Sequence, residues 1–262
     1  MKFGLNLYSI RNRLKTEEDF LAAANELREM GYSYIQFSGA PFDAEMVKRV
    51  SEASGLPVVL THVPMDRILN DTEALVNEHL SFGCKYIGLG MMPIDIIADA
   101  EKCRETVAAL DAAGAKMEEL GCKLFYHNHH YEFIKRNGET IMEYMIKNAP
   151  HINFTFDVYW AQYGGVDICE YLERLDGRIA CVHLKDYKIE MKINAEGKLR
   201  GEPIYCPVGD GTINFPRVIE AARRSGAEYF LVEQDNAALL PDTMGQVARS
   251  AGYLRGTLGE AF

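Results

Sequence analysis

The sequence has no apolar run of the roughly 18 residues that a membrane-spanning helix needs. Its opening, MKFGLNLYSIRNRLK, has neither the apolar core nor the small-residue cleavage site of a secretory leader. No membrane partner is expected, and the chain reads as cytoplasmic. Positive charge is also scarce: Lys and Arg number 28 against 38 Asp and Glu, a formal net charge of -10. Nucleic-acid binding draws on clustered Lys and Arg that release counterions from phosphates, so a nucleic-acid partner is not expected either. The cysteines (Cys84, Cys103, Cys122, Cys169, Cys181 and Cys206) stand singly, which speaks against a CxxC zinc ribbon or redox pair and suits small buried hydrophobes. No linker or low-complexity segment divides the chain. No GxGxxG follows the first apolar run, which disfavours a doubly wound nucleotide-binding sheet.

What is present is a repeated unit. Short β-rich runs occur at 2–9, 32–39, 57–64, 85–92, 122–129, 152–159, 178–185 and 228–235. Segments of helical period separate them, among them EEDFLAAANELREM, AEMVKRVSEAS, DICEYLERLD and FPRVIEAARRS, and VARSAGYLRGTL closes the chain. Alternation of this kind predicts parallel strands joined by crossover helices. With 262 residues, the chain is expected to be one (β/α)8 TIM barrel spanning 1–262. Gly31, Gly55, Gly83, Gly121, Gly177 and Gly226 each follow a helical segment, where a left-handed residue ends a helix at little cost. The longest segment after a strand, about 186–215, carries an EG pair that predicts a hairpin turn.

In such a barrel the C-terminal strand ends surround the active site, so polar residues closing apolar runs are the candidates. They are Asn6, Gln36, His62, His127, His129, Asp157, His183, Lys185 and Glu233. Alternation along each strand brings His127, Asp157, His183 and Glu233 to one level of the mouth. Neutral imidazoles with carboxylates suit one divalent ion of the Mn²⁺, Co²⁺, Zn²⁺ or Fe²⁺ type better than Ca²⁺. Asn6, Gln36 and His62 are expected on the substrate side, and alternation turns Asn128 towards the helix layer. Lys185 would stand one layer above His183, ready for a phosphate or enediolate oxygen, or else lie on the surface. Trp160 follows Asp157 closely and would stack on a sugar ring or pack beneath a loop. Glu132 in HNHHYEF is open between ligand, base, hydroxyl acceptor and plain loop carboxylate. PVGDGTINF (207–215) would cradle an anion with backbone N–H groups or serve as a turn.

YHNHHYEF, FDVYW, VHLKDY, PVGDGTINF and LVEQD, in this order, resemble the sugar phosphate isomerase/epimerase family, the xylose-isomerase-like barrels, over essentially the whole chain. The resemblance implies one Mn²⁺, Co²⁺ or similar ion, Mg²⁺ among them, held by Glu, Asp, His and Glu at the ends of strands five to eight. The two Glu side chains would be acid and base on opposite faces of a small sugar-derived substrate. Asp157, His183 and Glu233 match the last three ligands. The first falls on His127, where many relatives have Glu, and Glu132 is the other candidate for that place. The expected activity is a metal-dependent sugar isomerase or epimerase working through an enediolate, with Glu233 and either Glu132 or His129 moving the proton. Because of the departure at His127, the alternative is a dehydratase or lyase acting on a keto-sugar or inosose. An apurinic-endonuclease-like enzyme and a non-catalytic sugar-binding barrel are remoter alternatives, and homo-oligomerisation stays open.

Overall fold

Each apolar run forms a strand, shorter than the run itself: Gly4–Asn6, Tyr34–Phe37, Val58–His62, Tyr86–Leu89, Lys123–His127, Ile152–Asp157, Ile179–Leu184 and Tyr229–Val232. These ranges come from a computed structural model that describes residues 2–175 and 177–256. The runs overshoot because polar residues at the strand ends redirect the chain. The Asn6 side chain accepts from the Tyr8 N–H at 3.1 Å and starts the 3₁₀ helix Leu7–Arg13. The Asp157 side chain accepts from the Trp160 N–H at 2.9 Å and caps the helix Val158–Tyr163.

The strands pair in parallel and in sequence order, and the first pairs with the eighth, so the sheet closes into the expected (β/α)8 barrel. Amphipathic helices such as Glu17–Glu29, Ala100–Glu119 and Phe215–Arg224 bury their apolar faces around it. All six helix-ending glycines have positive φ, between 73° and 96°. The closing helix runs Thr243–Gly256. Residues 257 and 258 of the predicted closing segment, and residue 176 at the end of DICEYLERLD, lie outside the described residues. No described helix is long and apolar enough to cross a membrane, and all the cysteines are buried and free.

Two hairpins decorate the barrel. Asn137 and Gly138, both at positive φ (53° and 90°), close a short ribbon between Lys135–Arg136 and Glu139–Thr140. The longer one pairs Asp186–Ile193 with Leu199–Cys206 in antiparallel register, and Gly197 (φ 74°) of the EG pair sits in its turn.

The barrel interior is layered with a period of two. Tyr34, Leu60, Phe125, Cys181 and Leu231 form an apolar plug deep inside. Two residues further along the same strands stand Gln36, His62, His127, His183 and Glu233, all at most partly exposed. The plug is the floor on which the polar mouth is built.

Candidate active site

His127, Asp157, His183 and Glu233, from the fifth to the eighth strands and the loop entered by the last, are buried and each offers one ligand atom within 4.8 Å of the others. Their surroundings fix which atoms face the centre. His127 Nδ1 lies 3.0 Å from the Gly90 carbonyl, which can only accept, so Nδ1 carries the hydrogen. Burial holds this imidazole well below its ordinary pKa, so it is neutral and Nε2 presents a lone pair to Asp157 Oδ2 at 3.3 Å. Likewise Gln36 turns its amide oxygen to His183 Nε2 at 2.7 Å, leaving His183 Nδ1 as the lone pair, 2.6 Å from Glu233 Oε2 and 3.8 Å from Asp157 Oδ2. His183 Nδ1 and Glu233 Oε2 have no hydrogen-bond partner. Imidazole lone pairs directed at carboxylate oxygens repel unless a cation stands among them. The cluster could hold a metal, and its donors fit a divalent ion.

Lys185 continues the alternation one layer up and is buried. Its ammonium is 3.2 Å from Asp157 Oδ2, 3.7 Å from Glu233 Oε2 and 3.0 Å from Asp235 Oδ1. Burial alone would lower its pKa, but the three carboxylates outweigh that and raise it. Burial would also raise Glu233, yet the Lys185 ammonium holds it well below its usual value. Asp235, with 24% of its side chain exposed, is raised by burial, against the pull of Lys185, to about 6.

A cavity of about 240 Å³ opens beside this cluster. Glu233, Lys185 and Asp235 line one flank, Asn6 and His62 another, and His127 and His129 stand between, with Tyr8 and Met91 also on the wall. The His62 ring packs on those of His127 and His183, with centroids 5.3 and 5.9 Å away. Gly90 allows this approach, because a Cβ there would come within 3.1 Å of His62 Nδ1. Burial pushes His129 down to about 2.

Gln36 and Asn128 depart from the expected placement, and the structure narrows the readings left open for Glu132, Trp160 and PVGDGTINF. Glu132 is not among the cavity-lining residues: its carboxylate accepts from the Tyr126 hydroxyl at 2.6 Å and the His129 N–H at 2.7 Å, fully buried, so it braces the HNHHYEF turn and does not face substrate. Gln36 gives its amide oxygen to His183 and positions that ring, while its Nε2 is without a partner. Trp160 is not among the cavity-lining residues: it packs on His129 and His130 with centroids at 5.1 Å and has the Lys185 ammonium 5.2 Å from its own ring centroid, which is the packing alternative. Asn128 does not turn to the helices. Its amide exchanges hydrogen bonds with the Asp157 backbone, at 2.9 and 3.3 Å, and sets the height of the carboxylate. The PVGDGTINF amides do cradle an anion, but it is the chain's own Asp186, which accepts from the N–H groups of Gly209 and Gly211 at 2.9 Å and Ile213 at 3.3 Å. Asp235 and Tyr8 were missed, although each lies two residues beyond a residue placed inward, Glu233 and Asn6.

Gln36→Leu removes the acceptor that fixes the His183 tautomer while keeping the volume. Loss of such an outer partner costs about 10–100-fold in metal affinity. Competition with a chromogenic chelator reads this, and an unchanged affinity would refute the positioning role.

A parallel barrel that gathers two imidazoles, two carboxylates and an ammonium at the C-terminal ends of its strands has the build of a barrel enzyme. Residues 24–256 match the model of the xylose isomerase-like TIM barrel family, and the chain belongs to that family. It is similar to an inosose dehydratase of Clostridium perfringens, 24% identical over 92% of this chain and 91% of that protein. Its fold is shared with a sugar phosphate isomerase/epimerase of Parabacteroides distasonis, 23% identical with a TM-score of 0.79 over 97% of this chain and 98% of that one. A xylose isomerase-like TIM barrel protein of Mycobacterium smegmatis, solved in complex with magnesium, is 16% identical with a TM-score of 0.69 over 99% of this chain and 97% of that one.

Proposed function

We propose that this chain is a metal-dependent lyase that removes water from a keto-polyol of the inosose type. The observation that carries this reading is that the proton-transfer groups lie on one side. The carboxylates and the amine that line the cavity, Glu233, Lys185 and Asp235, all lie at or just beyond the ends of the seventh and eighth strands. Burial leaves His62, His127 and His129 too weakly basic for that work. An epimerase working through two carboxylates needs a second one on the opposite face, and Glu132 is sealed against Tyr126. A syn elimination needs one flank only. The inosose dehydratase relatives, similar along nearly the whole chain, support the same reading.

His127, Asp157, His183 and Glu233 would hold the ion, which supplies Lewis-acid polarisation of substrate carbonyl and hydroxyl oxygens. The mixed nitrogen and oxygen donors suit Mn²⁺ first, then Co²⁺, Zn²⁺, Fe²⁺ or Mg²⁺. In this reading Asp235 takes the proton from the carbon next to the carbonyl, with a pKa near the range a general base requires. Lys185 donates a proton to the departing hydroxide. One C–H and one C–O bond break, one C=C bond forms, and one water leaves. The 3.0 Å contact between Asp235 and Lys185 then returns the abstracted proton to the amine and resets both groups.

Metal-loaded protein incubated in D2O with inosose and a panel of ketoses, followed by NMR and mass spectrometry, tests this. The expected product is lighter than its substrate by one water. A product that has lost no water and carries one carbon-bound deuterium would replace the lyase reading with the isomerase/epimerase one. No proton exchange and no product with any substrate would defeat both.

A further inference from the structure

Beside the ligand set, two side chains from strands that carry no ligand, the first and the third, hold buried hydrogen-bonding atoms that the protein itself does not use. Asn6 Oδ1 accepts from the Tyr8 N–H and from the Ser38 hydroxyl, which sets the amide's orientation and leaves Nδ2 without a partner. His62 Nε2 is likewise unpartnered. Both residues line the cavity. Unpaired buried polar atoms weaken a fold, and their persistence at a cavity wall is explained by a ligand that pairs them.

The charge of that ligand is constrained as well. Lys185 is the only cation lining the cavity among the described residues, and it is already shared by Asp157, Glu233 and Asp235. Arg11, at the rim, donates to the carbonyls of Tyr8 (2.8 Å) and Asp235 (3.0 Å), with its guanidinium 4.2 Å from the Tyr8 ring centroid. The glycine-loop amides that would seat a phosphate are filled by Asp186. The three carboxylates and one ammonium leave two negative charges, which one divalent ion balances. No positive charge remains for a phosphate dianion, and burying one unpaired is costly.

Building on the reading of this mouth as a keto-polyol site, we propose that its ligand is an uncharged polyhydroxylated carbonyl compound whose hydroxyls are held by Asn6 Nδ2 and His62 Nε2, and that the phosphate ester of such a compound is rejected. Asn6 donates to a hydroxyl oxygen, and the free nitrogen of His62 pairs with a second hydroxyl. Asn6 and His62 are thus the specificity residues of the site.

Titration calorimetry on the Mn²⁺-loaded full chain tests the proposal with inosose, fructose and fructose 6-phosphate, and with inorganic phosphate as competitor. An uncharged compound binds, its phosphate ester binds at least about 10-fold more weakly, and inorganic phosphate does not compete. His62→Phe keeps the ring stacking and Asn6→Asp keeps both acceptor contacts. Each loses about 10-fold in affinity for the uncharged ligand, the worth of roughly one hydrogen bond, with bound Mn²⁺ unchanged. Equal or tighter binding of the phosphate ester overturns the proposal, as does unchanged affinity in both variants or no binding by any uncharged compound. Because binding is read without turnover, a chain that holds the uncharged ligand and never releases water would defeat the lyase reading and leave this one standing.

Discussion

Asp157→Asn should strip the protein of its metal without unfolding it. In the native chain Asp157 Oδ1 caps the following helix through Trp160, while Oδ2 faces His127, His183 and Lys185. Asparagine keeps the capping oxygen. It replaces Oδ2 with an N–H donor that satisfies the imidazole lone pairs from within, so the reason for a cation to enter is removed. Loss of an outer partner already costs about 10–100-fold in affinity, and loss of a ligand should exceed the upper end of that range. Bound metal measured by mass spectrometry should fall from one ion per chain to a small fraction. The apo form should be no less stable than native, because Lys185 keeps Glu233 and Asp235 as partners and the excess of buried carboxylates over ammonium falls by one. Native protein should gain about 2.7 kcal/mol from metal at a hundred times its Kd, and the variant should gain almost none. A variant that still purified with one ion per chain would remove Asp157 from the ligand set.

Lys185→Met should separate stability from chemistry at the same point. Methionine fills the stem's volume but leaves Asp157, Glu233 and Asp235 without their shared ammonium. Removing one member of a buried ion network typically costs about 3–5 kcal/mol, so urea denaturation of the apo variant should shift by that order. Metal should restore part of the loss, since a divalent ion can neutralise the same carboxylates. Turnover should not return with it: a positioned general acid is worth about 10²–10⁴-fold, and that factor should be missing even when the variant is fully metal-loaded. A loaded variant within a few-fold of native rate would make Lys185 a purely structural cation and would leave the departing hydroxide without its proton source.

The expectations that rested on repetition and alternation mostly agree with the structure, Asn128 being the exception because its amide is held by the Asp157 backbone, and those that rested on residue character often do not. Eight apolar runs, six glycines ending helices and a two-residue rhythm were enough to bring His127, His183 and Glu233 to the mouth and left Lys185 open between mouth and surface, because strand alternation is a property of the backbone itself. The same rhythm carried one step further would have found Asp235. Glu132, Trp160 and Gln36 look alike in sequence as polar or aromatic residues near strand ends. Each is nonetheless turned by a partner distant along the chain or folded back on its own loop: Tyr126 holds Glu132, His130 and Lys185 pack on Trp160, and His183 takes Gln36.

By itself, then, the sequence determined the barrel, the order of its strands and which strand ends carry nitrogen and carboxylate donors, since these follow from local periodicity and helix-ending chemistry. Only the tertiary structure decided which of those donors face the cavity, which imidazole nitrogen carries its hydrogen, and that the glycine loop's amides close on Asp186. Those outcomes depend on hydrogen-bond partners brought together from different strands, and no spacing along one segment encodes them.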